Sequence, residues 1–425
     1  MALKRWHRPR GTADILPPES RRWQKIEALI RSVARRYGYE EIRTPTFEYT
    51  ELFHRGVGDT TDIVQKETYT FEDRGGRSLT LRPEGTAAVM RAYLENGLQA
   101  RPQPVKLYYI MSIFRYEKPE AGRLRQHHQF GVELLGSPHP LWDAEVIALG
   151  YRAVRESGLR RLELRLNSIG CPVCRPRYRE ALLEYYRPLK EKLCRDCQVR
   201  LERNPLRLLD CKEDRQYAEE APRSVDYLCD DCRRHHEAVK GALWDLGIPF
   251  REDFTLVRGL DYYTRTVFEF VHEELGEKAA LFGGGRYDGL AEALGGPPVP
   301  GIGFGLGLER WLAALEAEGV RGDEEEGPDL FVAAPGTEGE HLLPLLEGLR
   351  DRGFWVETDY GGRSLKSLMK LADRKRARWV AMVGAEELER GRFLLRNLAT
   401  GEQTEHPLED FESIVTAALG GGVRR

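Results

Sequence analysis

Apolar positions recur at helical spacing near the start of the chain. Trp23, Ile26, Leu29, Ile30 and Val33 share one face and predict a helix over 19–38, closed by "YGYEE". "EIRTP" then reads as a short strand running into a proline. Two strand-like runs, "TYTFED" and "SLTLRP", flank "RGGR" and predict a pair of strands, with a helix opening at Glu84–Gly85–Thr86. The same theme returns on a larger scale in "VKLYYIMSIFRYE" and "QHHQFGVELLG", joined by a loop that carries Arg123 and Arg125, with Arg115 just before it. These two runs lack a simple alternation, as expected of a sheet covered on both faces. Further on, a strand is predicted from Phe254 to Val257, then a polar turn, then a second strand in "TVFEFV". "LFGGGRYDGLAEALGG" reads as a glycine-rich turn entering a helix, and "GIGFGLGLERWLAALEAEG" as a glycine-rich strand running straight into another helix.

Residues 171–240 break this rhythm with the helical stretch "RPRYREALLEYYRPLKEKL" and every cysteine of the chain, so they read as an inserted subdomain. The acidic, glycine-flanked "RGDEEEGP" at 321–328 marks a linker, after which strand and helix alternate to the end. The expected architecture is therefore an α+β domain with a mostly antiparallel sheet over 1–325, interrupted at about 171–240, followed by a small α/β domain over 328–420.

The 425 residues are 41% hydrophobic and 31% charged, a globular composition with room for two or three domains. No apolar run approaches the roughly 18–20 residues of a membrane span. The first residues, "MALKRWHRPRGTADI", contain no apolar signal core, so the expectation is a cytoplasmic protein with no membrane. The net charge of −3 gives no support for nucleic-acid binding by the whole surface; the local basic runs "KRWHRPR", "RPRYR" and "DRKRAR" each read first as solvated faces.

The seven cysteines fall between 171 and 232. Six form Cys-x-x-Cys pairs, Cys171–Cys174, Cys194–Cys197 and Cys229–Cys232, and Cys211 stands apart. Cytosolic chains rarely keep disulfides, so pairs at this spacing read as structural zinc ligands. The gap between the first two pairs is close to a zinc-ribbon pattern. Several tetrads are open, since His235 and His236 follow the last pair; the plain alternative is a set of reduced thiols.

Polar residues at strand ends point to a site. Arg115, Arg258 and Arg310 come from three separate segments; as surface ion pairs each would contribute only about 0–1 kcal/mol. Arg310, however, follows the glycines of "GIGFGLGLER", and glycines on a strand let a ligand approach the backbone. Arginines converging on one face would suit a triphosphate. Glu84 and Thr86 sit at a strand-to-helix turn, and Gln129 and Glu133, four apart on a strand, share one face. "GGGRYDG" matches neither a P-loop nor the dinucleotide fingerprint. The residues alone thus indicate an α+β enzyme of nucleotide chemistry.

The wording of the chain goes further. "RTPTFEYTELFHRGVGDTTDIVQKETYTFEDRGGRSLTLRPEGTAAVMRAYLENG", "FRYEKPEAGRLRQHHQFGVELLG", "LVRGLDYYTRTVFEFV", "GGGRYDGL" and "GFGLGLER" resemble the histidyl-tRNA synthetases, and "DRGFWVETDYGGRSLKSLMKLADRKRARWVAMVGAEELERGRFLLRNLATGEQ" resembles that family's C-terminal anticodon-binding domain. The segment around Pro45 resembles motif 1 of the class II synthetases, Phe114 to Glu133 motif 2, and "GFGLGLER" motif 3; "LVRGLDYY" and "GGGRYDGL" resemble the two histidine-specific signatures. Phe282 departs from the smaller residue expected there, and the cysteine-rich insertion is not a general family feature. The resemblance implies ATP-dependent activation of histidine to histidyl-adenylate and transfer to the 3′ end of histidine tRNA. It implies Arg258 and Arg115 as catalytic groups on the α-phosphate, and Arg115, Glu117 and Arg310 around ATP. It implies Glu84, Gly85, Thr86, Gln129, Glu133, Arg258, Tyr262 and Tyr263 around histidine. ATP as its Mg²⁺ complex, histidine tRNA and a second copy of the chain are the implied partners. A synthetase-like regulatory subunit of histidine biosynthesis is the rival reading; such paralogues typically lack the C-terminal domain and degrade the arginine signature, and both are intact here.

Overall fold

The computed structural model describes residues 6–58, 61–116, 124–272, 280–320, 327–336 and 342–420. The chain divides into two compact units, Met1–Arg321 and Gly322–Arg425.

The first unit carries strands β1 (Glu40–Glu41), β2 (Phe47–Tyr49), β3 (Tyr69–Glu72), β4 (Ser78–Leu81), β5 (Val105–Phe114) and β6 (Gln126–Leu135). They are followed by β7 (Leu162–Ser168), β8 (Phe250–Glu252), β9 (Thr264–His272), β10 (Ala280–Arg286) and β11 (Gly301–Gly307). Among the described residues, eight of these form one sheet in the order β1-β5-β6-β11-β10-β9-β7-β8. Only the edge pairs β1–β5 and β7–β8 are parallel. The small sheet β2-β4-β3 stands beside it.

Period-two geometry sorts each central strand into two faces. Phe130, Val132 and Leu134 of β6, Phe268 and Phe270 of β9, and Ile302, Phe304 and Leu306 of β11 enter one core. There they pack with the helices Glu19–Arg36, Pro140–Glu156, Asp230–Asp245 and Leu308–Ala317. The opposite face of β5 (Leu107, Tyr109, Met111) joins a second core with helix Thr86–Glu95 and the helices of the insertion. Phe282 points into the first core and stacks on Phe270 at 4.4 Å, so its departure from the expected small residue does not touch the second face.

Two expectations fail, each for a physical reason. Residues 254–257 are loop, and the strand is Phe250–Glu252. Asp253 Oδ1 accepts from the amide and the hydroxyl of Thr255 (3.1 and 2.7 Å), and the Asp253 carbonyl accepts from Leu256 N–H. These local bonds displace a ladder. β8 and β9 are consequently not a hairpin; β7 lies between them. Second, "LFGGGR" is no turn but β10, paired on both sides by β9 and β11. Its glycines are there for close approach: a Cβ on Gly284 would fall 2.0 Å from the Gly303 carbonyl oxygen.

The insertion leaves β7 and contributes helices Arg175–Tyr186, Arg195–Arg203 and Arg215–Glu219 before helix Asp230–Asp245 returns to the first core. In the second unit, β12 (Leu330–Ala333), β13 (Val356–Thr358), β14 (Trp379–Met382), β15 (Arg392–Asn397) and β16 (Gln403–Pro407) form a sheet in the order β13-β12-β14-β15-β16. Helices Leu342–Arg350 and Phe411–Leu419 cover one side and Leu365–Arg374 the other. Among the described residues no helix is long and apolar enough to cross a membrane.

Candidate active site

A lane of glycines runs across three adjacent strands on the face opposite the first core. Gly131 of β6, Gly303 and Gly305 of β11 and Gly283 and Gly285 of β10 pair or neighbour one another in register. Each leaves room for a polar or aromatic group. A Cβ on Gly303 would fall 2.1 Å from Glu133 Oε2, and one on Gly305 2.5 Å from Gln129 Nε2. On Gly283 it would fall 2.7 Å from Arg258 Nη1, and on Gly285 2.9 Å from the Tyr263 ring. Gly131 and Gly85 both face Tyr109 in the same way. The sheet floor is therefore bare backbone with functional side chains laid across it.

Glu133 lies at 0% exposure in a ring of hydroxyls. Thr86 Oγ1 donates to its Oε1 at 2.8 Å, Tyr109 OH donates to the same oxygen at 3.3 Å, and Tyr287 OH donates to Oε2. Burial pushes the acid up to about 8, against those hydrogen bonds, so without ligand it holds a proton at neutral pH. Glu84 accepts the amides of Thr86 and Ala87 at 2.7 Å each and so caps helix Thr86–Glu95. Burial raises its pKa too. Gln129 sits within reach of Tyr109, 3.5 Å from its hydroxyl. The rings of Tyr262 and Tyr263 lie 4.7 Å apart, and Tyr262 meets Tyr287 edge-on at 5.6 Å.

The arginines gather beside this pocket. Arg258 Nη1 donates to Glu269 Oε1 at 2.6 Å, while its buried Nε has no partner within the protein. Burial opposes its charge most strongly, but Glu269 together with Tyr263, Asp210 and Tyr262 outweighs it and holds the guanidinium above the ordinary arginine value. Arg115 donates from Nε to the Pro83 carbonyl at 2.8 Å; burial lowers its pKa and the nearby charge of Arg258 adds to that. Arg310 donates to the Ala280 carbonyl at 2.7 Å. His127, on the same face of β6 as Gln129 and Glu133, is driven down to about 3 by burial and by the charges of Arg115 and Arg310. It is a neutral ring at every working pH.

The structure thus brings Glu84, Gly85, Thr86, Gln129, Glu133, Tyr262, Tyr263, Arg258 and Arg115 to one face, with Arg310 near Arg115 through their shared effect on His127. Glu117 lies outside the described residues, as does Arg123. Sequence reasoning missed Tyr109, Tyr287, Glu269 and His127. Tyr287, His127 and Glu269 stood inside quoted motifs. Tyr109 gave no signal beyond its place in a strand, because only pairing in the sheet brings it to the glycine lane. Arg286, between Gly285 and Tyr287, points the other way and is buried against Asp143.

The cysteines pair differently from the zinc-ribbon spacing. Cys171 and Cys174 meet Cys229 and Cys232, not Cys194 and Cys197. The latter two join Cys211 and Asp214. His235 and His236 are committed elsewhere, to Asp143 at 2.8 Å and Glu252 at 3.0 Å. Sequence distance misled because helix Asp230–Asp245 folds back beside the start of the insertion.

A model of the family described as histidyl-tRNA synthetase matches residues 11–172 and 187–311, and one described as an anticodon binding domain matches 335–418. The chain belongs to the histidyl-tRNA synthetase family. Similar proteins include the histidine–tRNA ligase of Moorella thermoacetica, 56% identical over 405 residues, 94% of this chain and 96% of that one. The histidine–tRNA ligase of Caldanaerobacter subterraneus subsp. tengcongensis is 52% identical over 410 residues, 96% of this chain and 98% of its own length. Among solved structures, apo histidyl-tRNA synthetase of S. aureus matches with TM-score 0.83 and 42% identity over 97% of this chain and 100% of the other. Within this histidyl-tRNA synthetase family member, the glycine lane and the arginines around it occupy the class II catalytic domain, and the second unit is the anticodon-binding domain.

Proposed function

We propose that the chain activates histidine with ATP and transfers it to histidine tRNA in the cytoplasm, and that the glycine lane is where the adenylate forms. The observation that carries this reading is the fully buried Glu133 in its ring of hydroxyls, set beside a half-buried arginine, Arg258, whose buried Nε has no partner within the protein. A pocket built of hydrogen bonds around one buried acid suits a polar ring with N–H and N positions, and it rejects apolar isosteres by roughly 10⁴–10⁵. Glu133, with Tyr263 and Tyr262, would hold the imidazole. Glu84, the backbone at Gly85, Thr86 and Gln129 would take the α-ammonium.

The histidine carboxylate is already a nucleophile, so the reaction needs charge stabilisation more than proton transfer. It attacks the α-phosphorus of ATP, which enters as its Mg²⁺ complex; the bond to the bridging oxygen breaks and pyrophosphate leaves. Arg258 and Arg115 are half-buried, fixed guanidiniums for the charge that grows on the α-phosphate oxygens. Arg310 and the segment with Glu117 would hold the remaining phosphates and the adenine side. The terminal adenosine of tRNA then attacks the acyl carbon and AMP leaves.

Residues 1–325 would carry this chemistry and 328–420 the anticodon contacts. Lys366, Lys370 and Arg374 follow one another at spacing of four on the exposed side of helix Leu365–Arg374, within the 363–378 segment that would meet tRNA phosphates. A homodimer fits the small sheet. Phe47, Tyr49 and Phe71 are exposed on it at 49%, 57% and 44%, beside Ile42 and Pro45 of the motif 1 segment.

The test is histidine-dependent exchange of pyrophosphate into ATP, followed by charging of tRNA. Exchange with histidine and with no other amino acid is expected. Absence of exchange would return the regulatory-subunit reading.

A further inference from the structure

The insertion gathers eight metal-binding side chains into two separate tetrads. In one, the sulfurs of Cys171, Cys174, Cys229 and Cys232 lie within 4.8 Å of one another, with Cys171 3.6 Å from Cys174 and 4.0 Å from Cys229. In the other, Cys194, Cys197 and Cys211 meet a carboxylate oxygen of Asp214 within the same limit, with Cys194 3.7 Å from Cys211. Four thiolates at about 2.3 Å from a tetrahedral zinc stand about 3.8 Å apart. Backbone amides already point at the sulfurs: Cys229 N–H at Cys174 Sγ (3.1 Å) and Cys197 N–H at Cys194 Sγ (3.4 Å). Thiolate is the form that rewards such donors. The donor sets are soft and closed, three or four sulfurs with no position left for water, which is the chemistry of structural zinc.

Both tetrads are tied to one loop. Gly170, next to Cys171, gives its carbonyl to Arg265 N–H (2.9 Å) and to Thr264 Oγ1 (3.1 Å), and Arg175, next to Cys174, donates to the Tyr263 carbonyl. From the other tetrad, the segment between Cys197 and Cys211 sends Asn204 Nδ2 to Asp261 Oδ1 (3.1 Å) and Arg207 Nη1 to the Arg258 carbonyl (3.1 Å). Residues 258–263 precede β9, which starts at Thr264, and belong to no strand. Their position is set by these contacts from two sides and by Asp261 N–H, which donates to the Val57 carbonyl at 3.2 Å.

We propose that the insertion binds two zinc ions, one at Cys171, Cys174, Cys229 and Cys232 and one at Cys194, Cys197, Cys211 and Asp214, and that the pair positions the turn carrying Arg258, Tyr262 and Tyr263. The eight ligands are positioning residues; none touches substrate. The catalytic half of this inference rests on the proposed function, while the metal half does not.

The test uses the full chain. Elemental analysis of the purified protein should give two zinc per chain, and replacement by cobalt should give two sets of tetrahedral bands with different thiolate charge-transfer intensity. Cys232→Ser and Asp214→Ala should each retain one zinc. Asp214→His, which keeps a ligand, should retain two. If the turn is positioned by the metals, Asp214→Ala should lower the exchange rate by on the order of 10²-fold, as a misplacement of about 1 Å does. It should do so with a smaller change in the ATP KM, and Asp214→His should restore the rate. Should a variant not fold, titrating zinc out of the wild-type chain with a coloured chelator reads the same stoichiometry. Fewer than two zinc per chain, or iron in their place, overturns the metal assignment. Loss of one zinc with an unchanged exchange rate overturns the positioning role. Two zinc in a wild-type chain without exchange supports the sites and counts against the proposed function alone.

Discussion

Glu133 enters neutral pH with its proton on, because burial raises its pKa to about 8. The folded chain therefore keeps a proton that the unfolded chain releases near 4.5, and stability falls as pH rises through that window. Each pH unit is about 1.4 kcal/mol, so the full effect is on the order of a few kcal/mol. The melting temperature of the wild type should drop relative to Glu133→Gln between about pH 5 and about pH 8. A constant difference would mean that the acid is already ionised at the lower pH. The same substitution removes the carboxylate that an imidazole N–H would meet. A charged hydrogen bond contributes about 1.5–3 kcal/mol, so histidine affinity should fall roughly 10–100-fold with ATP affinity unchanged. Calorimetric titration of each ligand measures both. Arg258 offers a sharper contrast. Its Nε is buried without a partner and its Nη1 is held by Glu269, so it is oriented before substrate arrives. Removing one preorganised donor costs on the order of 10²–10³ in rate. Arg258→Ala should lose that much pyrophosphate exchange while the dissociation constants of histidine and ATP change less. Its circular dichroism should match wild type. Exchange near the wild-type rate would make Arg258 a structural residue of its turn.

At the scale of elements, helix Leu365–Arg374 separates its faces cleanly: Leu368 and Ala372 are buried, and Lys366, Lys370 and Arg374 are exposed. Several other basic residues near it are paired, Lys375 with Glu357 at 2.5 Å and Arg378 with Asp329 at 3.2 Å. Replacing Lys366, Lys370 and Arg374 by alanine should raise the KM for tRNA and flatten its salt dependence, by up to about 0.9 in slope per lost phosphate contact. Pyrophosphate exchange should be untouched. If charging keeps its wild-type salt dependence, the anticodon arm lies elsewhere.

For the whole molecule, the rings of Phe47 and Phe71 pack edge-on at 6.4 Å while remaining exposed, and Tyr49 is open beside them. Apolar surface of this kind on a short sheet supports the proposed homodimer. Light scattering at micromolar concentration should give twice the chain mass, and Phe47→Asp should shift it toward the single chain. A wild-type monomer at that concentration would refute the dimer.

Much of the candidate site was legible in the sequence because it lies in local words. "LVRGLDYY", "RPEGT" and "QFGVE" named Arg258, Tyr262, Tyr263, Glu84, Thr86, Gln129 and Glu133. The period of two in β6 and β11 placed Gln129 with Glu133 on one face and the glycines of β11 on one face. Helix Glu19–Arg36 followed from its apolar stripe, and Leu308–Ala317 from the run that leaves the glycine-rich strand. What lies between strands was not legible. Glycine is the same letter in a turn and beneath a ligand, so only the neighbours β9 and β11 made "GGGR" a strand. Only pairing in the sheet could bring Tyr109 of β5 and Tyr287 after β10 onto the same carboxylate. The tetrad of Cys171, Cys174, Cys229 and Cys232 depended on the return of helix Asp230–Asp245 across some fifty-eight residues, from Cys171 to Cys229, whereas the second closes locally between Cys194 and Asp214. Sequence fixes which groups are present and which face of its own element each takes. Contacts between elements distant in the chain are decided by how buried surfaces pack, and that is where the ring of hydroxyls around Glu133 and the tetrad of Cys171, Cys174, Cys229 and Cys232 arise.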